Sequence, residues 1–128
     1  MARVPIIHVG DTLIATVLED LNDRDALALH EELGERLEQT GVRGVILDLT
    51  AVETVDSFLG RVLNDLAVHT RLMGARTVIV GIQPAVAITL VELGLELTGV
   101  HTALNPVKGR LLLRRLLARD EDRSRNGR

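Results

Sequence analysis

Apolar residues recur along this chain in two rhythms, and the changes from one to the other lay out its elements. Residues 4–9 and 12–18 are rich in Val and Ile and are interrupted around Gly10-Asp11, which predicts two short strands joined as a hairpin. From Asp23 to Thr40 the period lengthens, with Ala26, Leu29, Leu33 and Leu37 on one stripe and Glu31, Glu32, Glu35 and Glu38 largely outside it. This is the pattern of a surface helix, capped by Asn22 or Asp23 and stopped by Gly41. Residues 44–49 then form a continuous apolar run, the kind that is buried on both faces of a sheet.

Helical spacing returns at about residue 57, where Phe58, Val62, Leu66, His69 and Met73 recur at threes and fours until Gly74. A second apolar strand is expected over 77–80. Gly81-Ile82-Gln83-Pro84 follows, with a proline suited to the first turn of a helix over 85–93 that closes at Gly94. A weak strand over 101–104 and a helix from Pro106 to about Arg119 complete the order. Residues 119–128 are nearly all polar and are expected to fray, which leaves a single domain over 1–118 and a disordered tail. Two strands followed by alternating helices and strands predict an α/β layer structure. The strands after the first helix should be parallel, because helical crossovers connect them. Loops at the carboxyl ends of such strands gather on one edge, so Asn22-Asp23 and Asp56-Ser57 should be neighbours.

Composition narrows the chemistry. The 128 residues suffice for one core, and with a single aromatic, Phe58, that core must be aliphatic. No cysteine is present, which removes disulfides, thiolate nucleophiles and cysteine metal sites. No apolar stretch approaches the roughly 18 residues of a membrane span, and no signal core opens the chain, so a cytoplasmic protein without a membrane partner is expected. The net charge of −3 is unevenly divided: residues 1–104 carry 7 basic and 15 acidic groups, residues 105–128 carry 8 basic and 3 acidic. An acidic body and a tail without aromatics argue against nucleic-acid binding.

Catalytic constellations are missing. His8, His30, His69 and His101 have no metal-ligand spacing and read as solitary residues. Neither GxGxxG nor GxxxxGK[ST] occurs, and no cofactor or metal is expected. Ser57 follows a strand and opens a helix, as a nucleophile would, but Val55 and Leu59 occupy the glycine positions of GxSxG. His69, twelve residues along the same helix, is roughly 18 Å away and cannot be its base. Two readings of Ser57 stay open. It is either a capping residue or a phosphate acceptor, whose added charge of roughly −1.5 to −2 would be well placed at a helix start. Phe58 is either the first core anchor of its helix or part of a contact surface. Asn22 and Asp23 either cap or contribute to docking. Thr50 and Thr54 read as structural, and Gln83 as a loop hydrogen-bonder or an assembly contact.

The hairpin, the acidic helix after Leu21-Asn22-Asp23, the strand-loop from Gly44 to Thr50 and Val55-Asp56-Ser57 together resemble the STAS domain of anti-sigma-factor antagonists. Val55-Asp56-Ser57-Phe58, with Leu72-Met73-Gly74-Ala75 and the run from Gly81 to Gly94, is similar more narrowly to the RsbS-like scaffold proteins of the bacterial stressosome. The likeness covers about residues 4–117. It implies a single STAS domain, its mostly parallel mixed sheet opened by a hairpin and covered by about four helices. It also implies a non-enzymatic scaffold that sequesters an RsbT-like switch serine/threonine kinase and releases it once Ser57 is phosphorylated. RsbR-like paralogues bearing sensor domains would join it in a homo-oligomer or a large hetero-assembly, and a separate phosphatase would reset the serine. Asn22, Asp23, Asp56 and Phe58 are then candidates for the docking surface. Sporulation-type antagonists carry Asp-Ser-Ser-Gly and modify the second serine, whereas Phe58 stands there in this chain. Direct binding to an anti-sigma factor is the alternative within the family, a small nucleotide-binding α/β enzyme the alternative outside it. A transporter-regulating STAS module would require a separate membrane partner.

Overall fold

The computed structural model describes residues 4–18, 21–95 and 99–126. Five strands, β1 (Ile6–Val9), β2 (Thr12–Thr16), β3 (Gly44–Asp48), β4 (Arg76–Val80) and β5 (His101–Ala103), alternate after the hairpin with α1 (Asp23–Thr40), α2 (Ser57–Leu72) and α3 (Pro84–Glu92). A fourth helix, α4 (Pro106–Asn126), follows β5. The sheet order is β1-β2-β3-β4-β5; β1 and β2 pair antiparallel, and all other pairs are parallel. The expected STAS-type α/β domain is therefore the one observed. Each parallel neighbour is reached through a helix, as a crossover requires.

Side chains alternate across the sheet and build two unequal cores. Leu13, Ala15, Val45, Leu47 and Ile79 face one side, where they meet Leu29, Leu33 and Leu37 of α1, Leu63 and Leu66 of α2, and Val86 and Leu90 of α3. Ile46, Val78 and Val80 face the other, covered by Leu113 and Leu116 of α4. The middle of each strand is covered on both sides, which is why Val45-Ile46-Leu47 of β3 and Val78-Ile79-Val80 of β4 read as unbroken apolar runs. The proline at residue 5 lies at the sheet edge, and its carbonyl accepts a bond from the Thr16 N–H at 3.1 Å.

The direction of α4 is fixed at two points. Gly109 sits against Val80 at the carboxyl end of β4, so close that a Cβ there would lie 2.7 Å from Val80 Cγ1. Asp120 meets Arg76 at the amino end of the same strand, in a bidentate pair with Nε–Oδ2 2.9 Å and Nη2–Oδ1 2.8 Å. These hydrogen bonds hold the Asp120 carboxyl below its usual range and raise the guanidinium of Arg76.

The same contact changes the expected C-terminus. The helix does not end near Arg119 but runs on to Asn126, so residues 119–126, expected as part of a disordered polar tail, continue α4. Arg123 and Arg125 in its last turn complement the helix dipole, and Arg125 pairs with Asp122 at 3.0 Å. The partner that anchors this segment, Arg76, lies 44 residues away, where local polarity gives no hint of it.

Candidate functional site

The carboxyl ends of β2 and β3 are adjacent in the sheet, with Thr16 opposite Asp48. The next hydrogen bond, from the Val17 N–H to the Asp48 carbonyl at 2.9 Å, keeps the two chains together as they leave it. From this edge both α1 and α2 begin. Asn22 caps α1, its Oδ1 accepting from the Asp25 N–H at 2.8 Å. Asp56 caps α2 in the same way, its Oδ1 accepting from the Leu59 N–H at 2.8 Å. The expectation that the two helix starts share an edge follows from this register.

Ser57 is the first residue of α2 and is exposed. The capping role considered for it belongs to Asp56: an N-cap residue needs an extended backbone, and Asp56 has φ −96° and ψ 175° while Ser57 has already entered the helix. Among the described residues the Ser57 hydroxyl has no hydrogen-bond partner. Its position in the first turn lies where unpaired N–H groups and the helix dipole favour a negative charge. Phe58 is half-buried and belongs to neither core. The inward anchors of this turn are instead Leu59, packed on the larger core, and the buried Gly60 and Val62.

The loop that presents Ser57 is tied down along its length. Asp48 Oδ1 accepts from both the Thr50 N–H at 3.0 Å and the Thr50 hydroxyl at 2.6 Å. Gln83 Nε2 donates to the Thr50 carbonyl at 3.0 Å, which links this loop to the one after β4. Gly81, at φ +69°, passes directly beneath Thr50, and a Cβ there would collide with Thr50 Oγ1. Val52 and Val55 are buried between these bonds and the helix start. Gln83 thus acts as a loop hydrogen-bonder, and Thr50 closes a turn. The sequence assigned Asp48 and Gly81 no role of their own, although both lie in the stretches that carry the resemblance, because that role depends on two loops that are 33 residues apart.

One reading of the histidines is corrected. His30 on α1 and His69 on α2 are not solitary: Nε2 and Nδ1 lie 3.0 Å apart, with the rings edge to face at 5.1 Å. Partial burial, then the neighbouring His69, lower the pKa of His30, and Asp65 on α2 acts in the opposite sense. Gly34 leaves room for the His69 ring, whose Cε1 would lie 3.0 Å from a Cβ at that position. Among the described residues no group of three or more His, Cys, Asp or Glu side chains is arranged to hold a metal, and no helix is long and apolar enough to cross a membrane.

Comparison with known proteins agrees with this architecture. The family model of the STAS domain matches residues 3–106. The structure of a serine-to-glutamate variant of RsbS from Moorella thermoacetica superposes with a TM-score of 0.83 at 39% identity, covering 91% of this chain and 99% of that one. A chain from the molecular architecture of the stressosome, described as a signal integration and transduction hub, gives 0.80 at 41% identity and covers 88% and 98%. The RsbT co-antagonist protein RsbRD of Bacillus subtilis strain 168 is 28% identical over 99 residues, which are 77% of this chain and 36% of RsbRD. The chain therefore spans about a third of the length of that relative. Fold, register and similarity over nearly the whole chain converge: the chain belongs to the STAS domain family, among its RsbS-like members.

Proposed function

We propose that this chain is a non-enzymatic scaffold of a stressosome-type assembly that holds a switch serine/threonine kinase and releases it when Ser57 is phosphorylated. The observation that carries the reading is the division of labour at the start of α2. Asp56 supplies the cap, which leaves the Ser57 hydroxyl exposed and without a structural task. A kinase brings its own base and metal, so the acceptor needs only access. A phosphate at this place adds roughly two negative charges beside Asp56 while the dipole of α2 stabilises them locally. The docking surface turns strongly negative without any movement of the core.

In this reading Asn22, Asp23, Asp56 and Phe58 form the surface on which the kinase sits, RsbR-like paralogues are fellow members of the assembly, and a phosphatase restores the serine in the cytoplasm. The half-buried Phe58 ring gives that surface an apolar centre. The similarity to RsbS, to the stressosome chain and to an RsbT co-antagonist supports the same class of partner. Binding of an RsbT-like kinase to the purified chain tests the proposal. Ser57→Ala should bind and fail to release on addition of ATP, and Ser57→Asp should bind at least tenfold more weakly. Release of the kinase from Ser57→Ala on addition of ATP, at the wild-type rate, would sink it.

A further inference from the structure

At the amino end of the parallel strands, opposite the edge that bears Ser57, the β1–β2 turn and α4 enclose a cleft of about 330 Å³. Its floor is the start of β2. Thr12 alternates with Leu13, which faces the larger core, so its side chain stands on the α4 side of the sheet, with only 6% of the residue exposed. Among the described residues its hydroxyl has no hydrogen-bond partner, although a hydroxyl this deeply buried normally finds one. Beside it Gly44 leaves the floor open: a Cβ there would stand 3.1 Å from Leu113 Cδ1 and 3.4 Å from Thr12 Oγ1.

Two guanidinium groups border the cleft on its helical side. Arg110, half-buried, and Arg114, exposed, lie one turn apart on α4 and both line it. Arg110 reaches over the β1–β2 turn, its Nη2 3.7 Å from where a Cβ on Gly10 would stand. Neither arginine forms an ion pair or a side-chain hydrogen bond among the described residues. Two acids share the lining, Asp11 and Glu121. Glu121 has Arg43 as a counter-ion at 3.9 Å, and Asp11 pairs with neither arginine of the cleft. The half-buried Leu117 adds an apolar wall.

We infer that this cleft binds a small organic phosphate, its phosphoryl oxygens held by Arg110, Arg114 and the Thr12 hydroxyl and its apolar part set against Leu117. Two planar forks from a helix and a hydroxyl from the strand beneath supply donors from two sides. A tetrahedral phosphoryl group has three oxygens to meet all of them, whereas the two oxygens of a planar carboxylate are matched by a single guanidinium. The volume is that of a site for a small molecule. Residues 10–12 and 110–118 come together only in the folded chain, so such a ligand ties the β1–β2 turn to α4 and stabilises the fold. The cleft lies at the far end of the sheet from Ser57, and the inference is independent of kinase release.

Titration of the full chain with phenyl phosphate, followed by calorimetry and by amide NMR shifts, gives the test. Saturable binding is expected, with the shifts centred on residues 10–12 and 110–118. Inorganic phosphate, which lacks the apolar part, and benzoate, which lacks the third oxygen, should each bind severalfold more weakly. Arg110→Gln and Arg114→Gln should each weaken binding about tenfold, as the loss of a charged hydrogen-bond donor does, and Thr12→Val severalfold. Asp11→Asn should tighten binding severalfold, because it removes the acid that repels the phosphate, and a gain of this kind cannot come from misfolding. Arg115→Gln/Arg119→Gln, on α4 but outside the cleft, should leave the affinity unchanged. Absence of saturable binding at millimolar phenyl phosphate would overturn the inference, as would shifts centred elsewhere. Equal losses from the Arg115/Arg119 variant, or benzoate binding as tightly as phenyl phosphate, would also overturn it, since either would reduce the site to diffuse positive charge.

Discussion

Asp56 and Ser57 are adjacent, short and polar, yet their oxygens have different tasks. The carboxylate of Asp56 closes the first turn of α2 through the Leu59 N–H, and the hydroxyl of Ser57 faces solvent. Asp56→Ala is therefore expected to cost about 1 kcal/mol of stability, the usual loss for an N-cap. Ser57→Ala should stay within about 0.5 kcal/mol of wild type, as for exposed positions without a structural partner. Urea unfolding of the two variants measures both, and the reverse order would return the capping role to Ser57. The sequence left this choice open because serine and aspartate are equally good caps, and only the backbone angles decide which residue remains outside the helix. Phe58 shows the same limit: its size argued for the core, but helix rotation is set by Leu59 and Val62, which leaves the ring half-buried.

Elements, by contrast, were legible wherever burial imposed a period. Leu29, Leu33 and Leu37 mark the inner face of α1, and the runs around Ile46 and Ile79 mark the central strands, all close to the expected bounds. Contacts between elements were not legible, since no spacing within one helix reports its neighbour. The His30–His69 bond, which joins α1 to α2 across 39 residues, is such a contact, and the partial burial of His30 there, with His69 as the second cause, is expected to make stability depend on pH. Because the folded protein lowers the pKa of His30, its neutral form is favoured in the fold. Stability should be full above the unfolded value near 6.5 and should fall as pH drops from there through the lowered folded value. Denaturation midpoints measured from pH 8 to pH 5 should decline, and His30→Gln should flatten that decline. An unchanged slope in the variant would assign the pH dependence to other groups.

At the scale of the whole molecule, one helix covers the second face of the sheet, and its far end is held by the Arg76–Asp120 pair. Both side chains are only 24% and 21% exposed, and the bidentate geometry favours a real contribution. Asp120→Ala is expected to cost about 1–2 kcal/mol and to increase amide exchange over 119–126, because a charge-assisted hydrogen bond is lost and Arg76 is left half-buried. Exchange rates already unprotected in the wild type would contradict that anchoring. The sequence presented this segment as a frayed tail, for its polarity is that of a solvated chain and its single anchor comes from β4. The uneven charge along the chain was visible from the start. What folding adds is its geometry, with an acidic helix on one side of the sheet and a basic one on the other. The edge between them carries Ser57, whose modification is the central step of the proposed release. The most direct measurement is fragmentation mass spectrometry of the tryptic peptide spanning residues 44–61, from chain purified out of native cells before and after stress. Phosphate on Ser57 should rise with stress, with none on Thr50 or Thr54. A peptide that is unmodified in both states, or modified at a threonine instead, would contradict it.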